Sequence, residues 1–537
     1  MKKISRTLGL LGFFILALTA VSCLNELDQL APEDGNQITG DEFFTSPNSY
    51  IAFLSKLYGG LALTGQNGPA GSPDISGIDE GESQYIRGLW VMQELTTDEA
   101  IIGWNDKTIK DFHYHTWTSQ DLFINATFNR LDFQIKLCNE FLRQTTDAKL
   151  DGRGVDAALK ATIQTYRAEA KFLRSLSYWH SLDLFGSVGL VTEESPSGFF
   201  LPQQASKQDL FNFIESELLA AIPEMRTPNA GSADYPRADQ AAAWILLAKL
   251  YQNAQVYIGT DRNTDAMVYV KKVIEESGYS LATNYDDLFL ADNNRPGVRR
   301  EFIFAVAFDG LRTQTFGGTT FLTHAPVGGT MSPVAFGING GWAGIRTTSA
   351  FVAKFDNSVG DSRANFYTDG QKLEIDDVAN FADGYAIEKF KNVDVNGNPG
   401  SDAAGDFVDA DFPVFRLADA YLMYAEINLR GGGGDAGTAL GYINQLRVRA
   451  HGNNSGNVTS SAVNLDFILD ERARELHWEG HRRTDLIRFG KFTGGAYIWP
   501  WKGNVPNGSP TAAFRNIFPI PALALNGNPN LIQNAGY

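Results

Sequence analysis

The densest group of residues able to move protons is DERARELHWEGHRRTDLIRFGKF, Asp470 to Phe492. Glu475 and Glu479, with His477 or His481 beside them, are the types a hydrolytic enzyme uses, one carboxyl giving a proton and the other taking it. The same stretch sets Asp470 four residues before Arg474, Glu479 four before Arg483 and Glu471 three before Arg474, spacings at which acid and base pair on a helix surface. With so many bases among the acids, a structural ion network is expected here rather than catalysis. Metal chemistry is thinly supplied. His113 and His115 lack a third ligand nearby, and the run Asp394, Asn396, Asn398 begins like a calcium loop but carries Pro399 where the turn needs glycine and no Glu at the twelfth position. The residue types leave open only a looser structural calcium site from Asp402, Asp406 or Asp409. Phosphate-cradling, dinucleotide and nucleophile-elbow motifs are absent from any convincing context.

Two loop tryptophans suit binding better. Trp104 in AIIGWNDKTIK stands beside Asn105 and Asp106, and Trp342 in INGGWAGIRTT has Asn339 and Arg346 near. A flat aromatic face takes the C–H face of a sugar ring, while amide, carboxylate and guanidinium groups select hydroxyl geometry. The competing reading is that each indole plugs its loop onto the core.

Charge narrows the partners. The chain carries -17, and removal of residues 1–22, which hold three basic and no acidic groups, takes it to -20. With no basic run to offset that charge, nucleic acid is excluded as a partner. Aromatic residues make up 12% of the chain, with nine Trp and 36 Phe, enough to furnish both a core and a stacking surface.

The elements that must position these residues are mainly helical. Amphipathic periodicity predicts helices over 166–184, 208–221, 241–258, 265–276, 417–429, 436–450 and 465–487. In the third, Trp244, Leu247, Ala248, Tyr251, Ala254 and Ile258 line one face. Helix, short break and helix recur in pairs with small residues before large ones, the pattern of degenerate tetratricopeptide repeats. Between about 291 and 410 Gly, Asn, Asp, Thr and aromatics crowd together around short strand-like runs such as EFIFAVAF. Long aromatic loops of this kind usually carry function. The expected organisation is a helical scaffold over 46–290, a loop-rich ligand-binding region over 291–410 and C-terminal helices over 411–537. Cys138, in the apolar run FQIKLCNEFL, is expected to be buried and inert.

At the N-terminus Lys2, Lys3 and Arg6 precede an apolar stretch from Leu8 to Leu18, then Ala20, Ser22 and Cys23. The stretch is too short to span a bilayer, and the layout is that of a signal peptide cleaved before a lipidated cysteine. Residues 1–22 are therefore expected to be removed, Cys23 to carry the lipid that holds the chain at a membrane, and 23–45 to form a tether.

Several segments together resemble the SusD/RagB type of nutrient-binding lipoprotein: LDQLAP after Cys23, ELTTDEA at 94–100, YRAEAKFLRSLSYWHSLDLFGSVGLVT, the helix pair FRLADAYLMYAE and YINQLRVRA, ILDERARELHWEGHRRTDLIRFGKF, and the tail FPIPALALNGNPNLIQNAGY. The resemblance implies one mainly α domain, four tetratricopeptide-like helix pairs as scaffold, and loops with a few short strands as the ligand face. It implies a non-catalytic protein at the outer-membrane surface that captures oligosaccharide, an α-glucan as first expectation, and passes it to a SusC-like TonB-dependent transporter. Trp104 with Asn105 and Asp106, and Trp342 with Arg346, match parts of the aromatic arc, with Phe316 or Phe321 where a third ring is expected. Peptide uptake by a RagB-type protein and glycoside hydrolysis are the alternatives.

Overall fold

The computed structural model describes residues 40–69, 73–106, 108–196, 198, 200–355 and 360–537. Cys23, the signal segment and most of the tether lie outside the described residues. The principal helices are α1 (Pro47–Ala62), α2 (Tyr85–Gln93), α3 (Leu122–Gln144), α4 (Ala157–Phe185), α5 (Lys207–Ala221), α6 (Gln240–Gln252), α7 (Asn263–Glu276), α8 (Gly318–His324), α9 (Leu417–Leu429), α10 (Ala436–His451), α11 (Leu465–Leu476) and α12 (Arg482–Arg488). Shorter helical turns lie between them.

Local chemistry sets many of the starts. Asp121, Asp156, Asp239, Asp435 and Asn464 each accept a hydrogen bond from a backbone N–H of the first turn they precede, and Ser206 and Asp209 form a reciprocal capping box on α5. Each such cap stabilises its helix by about 1 kcal/mol. Helices α3 with α4, α4 with α5, α6 with α7 and α9 with α10 pack as pairs, and α7 against α9 joins two pairs into one stack. Cys138 of α3 is buried within that core.

Three expectations change. The helix predicted over 241–258 is interrupted at Asn253, which returns its side-chain amide to the Lys249 carbonyl, an alternative to helix continuation that short polar residues supply, and resumes over Ala254–Ile258. Its single apolar face becomes burial all round, since α6 is enclosed by α4, α5, α7 and a strand. The helix predicted over 465–487 breaks at His477–His481, where Trp478 and Gly480 take left-handed φ of 64° and 84°. Segment 94–99 enters at that break: Glu94 accepts from the Gly480 and His481 N–H groups, and the Trp478 indole donates to the Glu99 carbonyl.

The predicted surface ion pairs are also redistributed. Glu471 does pair with Arg474 at 2.6 Å, but Asp470 pairs with Lys354, Glu479 with Arg416 and Lys389, and Arg483 with Asp183. Glu475 is shared by Arg363, Arg416 and Arg449, and all these carboxylates except that of Asp470 are buried. Burial alone would push Glu475 up, yet its three arginines hold it well below the usual carboxylate range. Glu475 and Glu479 are both buried and committed to ion pairs, so the acid pair is scaffold.

Among the described residues, strands occur as three antiparallel two-stranded ribbons: β1 (Ile101–Ile102) with β3 (Ile345–Arg346), β2 (Phe302–Val306) with β6 (Phe412–Arg416), and β4 (Phe366–Tyr367) with β5 (Ala386–Ile387). The run EFIFAVAF supplies β2. The loop-rich stretch thus leaves and rejoins the helical stack through one fully buried ribbon, β2 with β6, while β1 with β3 fastens its middle to the chain after ELTTDEA. No described helix is long and apolar enough to cross a membrane.

Candidate glycan-binding site

The β1–β3 ribbon decides where the two tryptophans go. Ile101 pairs with Arg346 and Ile102 with Ile345, so the residues just outside the ribbon, Trp104 and Trp342, emerge side by side. Gly103 N–H donates to the Gly344 carbonyl at 2.8 Å, and the indole N–H of Trp104 donates to the Trp342 carbonyl at 2.9 Å. The ring centroids are 6.3 Å apart with the planes tilted by 47°. This needs glycine at 344, where an added Cβ would lie 2.2 Å from the Trp104 ring. Ala343, between Trp342 and that glycine, is held at φ 48°, a costly conformation for a residue with a side chain. Both indoles are half-buried against the main core, so anchoring the loops and presenting a face coexist.

Each tryptophan has a ring beneath it. Phe321 of α8 is fully buried and meets Trp104 edge-on at 6.2 Å. His324, at the end of α8, stacks under Trp342 at 4.9 Å and 22°, and its carbonyl accepts the Trp342 N–H. Four backbone hydrogen bonds from 342–345 to His324, Ala325 and Val327 fix the turn.

Around this platform Asn105 and Asp106 are exposed. The Asn105 side-chain oxygen already accepts from Lys110 at 2.6 Å, which leaves its N–H groups to donate outward. Asn339 is exposed and engaged with Asp406 at 2.5 Å. Arg87 of α2 lies over Phe321 at 4.5 Å and donates to the Phe316 carbonyl. Burial lowers its pKa to about 10, against which Glu82, Asp79 and Asp106 act, so it stays cationic at neutral pH. Phe316 is 40% exposed and packs on Phe407 at 5.6 Å.

Two expected contact residues have other places. Arg346 is buried, and its guanidinium is spent on the carbonyls of Asp383, Gly344 and Val378, at 2.9, 3.1 and 2.6 Å. It shapes the ribbon from below and does not reach hydroxyls. Phe321 likewise supports Trp104 instead of offering a face. Sequence reading passed over Arg87 and His324, because one lies in an ordinary helical run and the other stands 18 residues before Trp342 with no motif to connect them.

The metal candidates resolve into hydrogen bonds. His115 meets the Thr96 carbonyl, and His113 faces the Ile102 N–H. Asp394 accepts from the N–H groups of Asn396 and Asn398, and Asp402 from those of Ala404, Asp406 and Phe407. Asp409 is taken by Ser401 and Gly310. Among the described residues no three His, Cys, Asp or Glu gather to hold a metal.

Comparison with known proteins bears on this arrangement. The SusD family model matches residues 358–537. The starch-binding protein SusD of Bacteroides thetaiotaomicron is 34% identical over 97% of both chains, and the SusD-like protein P25 of Formosa agariphila is 28% identical over 72% of this chain and 75% of its own. Among solved structures, a SusD superfamily protein from Parabacteroides distasonis superposes with TM-score 0.69 at 23% identity, covering 91% of this chain and 99% of that one. Surface glycan-binding protein A from Bacteroides thetaiotaomicron, in complex with laminarihexaose, superposes with TM-score 0.67 at 19% identity over 91% and 99%. Extending over nearly the whole sequence, the likeness to the starch-binding relative establishes that this chain belongs to the SusD family.

Proposed function

We propose that the chain is a non-catalytic glycan-binding lipoprotein of the outer cell surface, tethered through Cys23, which captures oligosaccharide and hands it to a SusC-like TonB-dependent transporter. The observation that carries the reading is the Trp104–Trp342 pair: two half-buried indoles, the Trp104 N–H bonded to the Trp342 backbone carbonyl, tilted by 47° and rimmed by exposed amide and carboxylate groups. Stacking on the indoles supplies affinity without direction, while Asn105, Asp106 and Arg87 select hydroxyl geometry. Phe316, exposed and bonded through its carbonyl to Arg87, adds a further apolar face. A tilted pair suits a chain of sugars that curves, and an α-glucan is the ligand class proposed. The 34% identical relative named for starch binding supports that class, whereas a more distant structural relative holds laminarihexaose.

The test is calorimetry or affinity electrophoresis on protein beginning at residue 24, against maltoheptaose, laminarihexaose, levan, xylan, pectin and peptide mixtures. Binding of maltoheptaose that disappears in both Trp104→Ala and Trp342→Ala is expected. Peptide binding unaffected by either substitution, or release of reducing sugar from a polysaccharide, overturns the reading.

A further inference from the structure

A second pair of rings repeats the geometry of the first. Tyr114, at the end of the short helix Lys110–Tyr114, and Trp501 have ring centroids 6.1 Å apart with planes tilted by 45°, against 6.3 Å and 47° for Trp104 and Trp342. Both rings are half-buried. The Trp501 indole N–H donates to the Ile375 carbonyl at 2.9 Å, the same kind of strap from ring to the backbone of another loop that joins Trp104 to Trp342.

The Trp501 loop has other anchors. Trp499, two residues earlier, is 1% exposed in the main core, and Lys502 is fully buried over the Trp499 ring at 4.1 Å, its ammonium donating to the Tyr497 carbonyl at 2.8 Å. Backbone bonds close the turn, from the Trp501 N–H to the Val505 carbonyl and from the Asn504 N–H to the Trp501 carbonyl. Between these anchors Trp501 takes a left-handed φ of 69°, a costly conformation for a bulky residue. Its ring rests on a small apolar patch of Ile101, Ile375 and Val378, which Tyr114 shares.

That patch ties the two pairs together. Ile101 belongs to the β1–β3 ribbon, where alternation along the strand sends Ile101 to this patch and Ile102 to the main core. Trp104 follows Ile101 by three residues, at most about 11 Å of chain. Val378, three residues beyond the carbonyl that receives Trp501, accepts through its own carbonyl from Arg346 of the same ribbon. Groups able to meet hydroxyls stand beside this pair too: Asp377, two residues past Ile375, and Asn504, in the Trp501 turn, are both exposed.

Resting on the glycan site proposed above, we infer that Tyr114 and Trp501 form a second sugar-stacking platform, which takes a further stretch of the same class of glycan as Trp104 and Trp342. Stacking asks only for the C–H face of a sugar ring, so the second pair serves the ligand class of the first. A polysaccharide held at two places binds more tightly than a short oligosaccharide that covers one, because the second contact is made within a chain already captured.

Two measurements decide it. Fluorine NMR on protein containing fluorotryptophan reads Trp501 directly, its resonance assigned by its loss in Trp501→Phe. On saturation with maltoheptaose that resonance is expected to move together with those of Trp104 and Trp342, and amylopectin is expected to move it still in protein carrying both Trp104→Ala and Trp342→Ala. In affinity electrophoresis Tyr114→Ala, which leaves the Trp501 strap to Ile375 in place, should lower the ratio of amylopectin to maltotriose affinity roughly tenfold. A Trp501 resonance that stays put while those of Trp104 and Trp342 move, or that no longer responds in the double variant, overturns the inference alone. So does an unchanged ratio in Tyr114→Ala protein whose circular dichroism is that of wild type. If no tryptophan responds to any glycan of the panel, the site reading falls and the second platform with it.

Discussion

The indole N–H of Trp104 donates to the carbonyl of Trp342 at 2.9 Å, joining residues 238 positions apart in the chain. The two rings therefore behave as one platform. Trp104→Ala removes one stacking face and also the strap on the other, so it should lower glycan affinity more than Trp342→Ala. Each loss is expected to exceed tenfold, about 1.4 kcal/mol, and Trp104→Phe, which keeps a ring but no N–H, should fall between wild type and Trp104→Ala by calorimetry.

Gly344 admits the Trp104 ring by having no side chain. Gly344→Ala is expected to displace the indole, because a Cβ 2.2 Å from a ring held by strand and hydrogen bond has no cheap escape. Glycan binding should drop at least as far as in Trp104→Phe while the far-ultraviolet circular dichroism stays that of wild type.

Arg346 should report as a stability residue. Its alanine variant leaves the buried carbonyls of Asp383 and Val378 without that donor, while Gly344 keeps the Gly103 N–H, and is expected to lower unfolding free energy by about 3 kcal/mol. Urea denaturation measures this, and under fully native conditions the preference among glycans should stay unchanged. Altered preference with unaltered stability would restore Arg346 as a ligand contact.

The buried charges behave the same way on a larger scale. Arg416→Met takes one cation from each of Glu301, Glu475 and Glu479, which that arginine bridges at 3.1, 2.6 and 2.6 Å, and leaves them to Arg449, Arg363 and Lys389. Removing one member of a buried network costs about 3–5 kcal/mol, visible as a large fall in melting temperature.

Raising the pH towards neutrality should loosen the packing of segment 94–99. Burial pushes Glu94 up to about 7, and burial followed by the Glu94 charge pushes Glu99 well above the usual carboxylate range. A carboxyl whose folded value lies above its unfolded value of about 4.3 contributes stability fully below that unfolded value and loses it as pH rises through the folded one. The melting temperature should therefore decline as pH is raised from about 4.3 to 7. Glu94→Gln, whose oxygen can still accept from Gly480 and His481, should flatten that decline. An equally steep decline in this variant would place the buried proton elsewhere.

Much of this protein was legible in local chemistry. Helix positions follow from periodicity and from caps such as Asp239 and Ser206, which act within three or four residues. The buried thiol of Cys138 follows from an apolar run, and the scaffold role of Glu475 from the surplus of nearby arginines. Helix continuity through 477–481 was not legible, because the groups that break it, Glu94 and Glu99, come from almost 400 residues away.

By itself, then, the sequence determined the helical stack, the family motifs and the presence of two tryptophans in polar glycine-rich loops. Tertiary structure alone decided that these loops meet, because a two-residue ribbon leaves no periodic trace and its pairing is a long-range choice. It also decided which neighbours face outward: Asn105 and Asp106 stay in water, whereas Arg346 and Phe321 are sealed beneath by packing. Burial is set by what lies on top of a residue, and for this site that covering comes from distant segments of the chain.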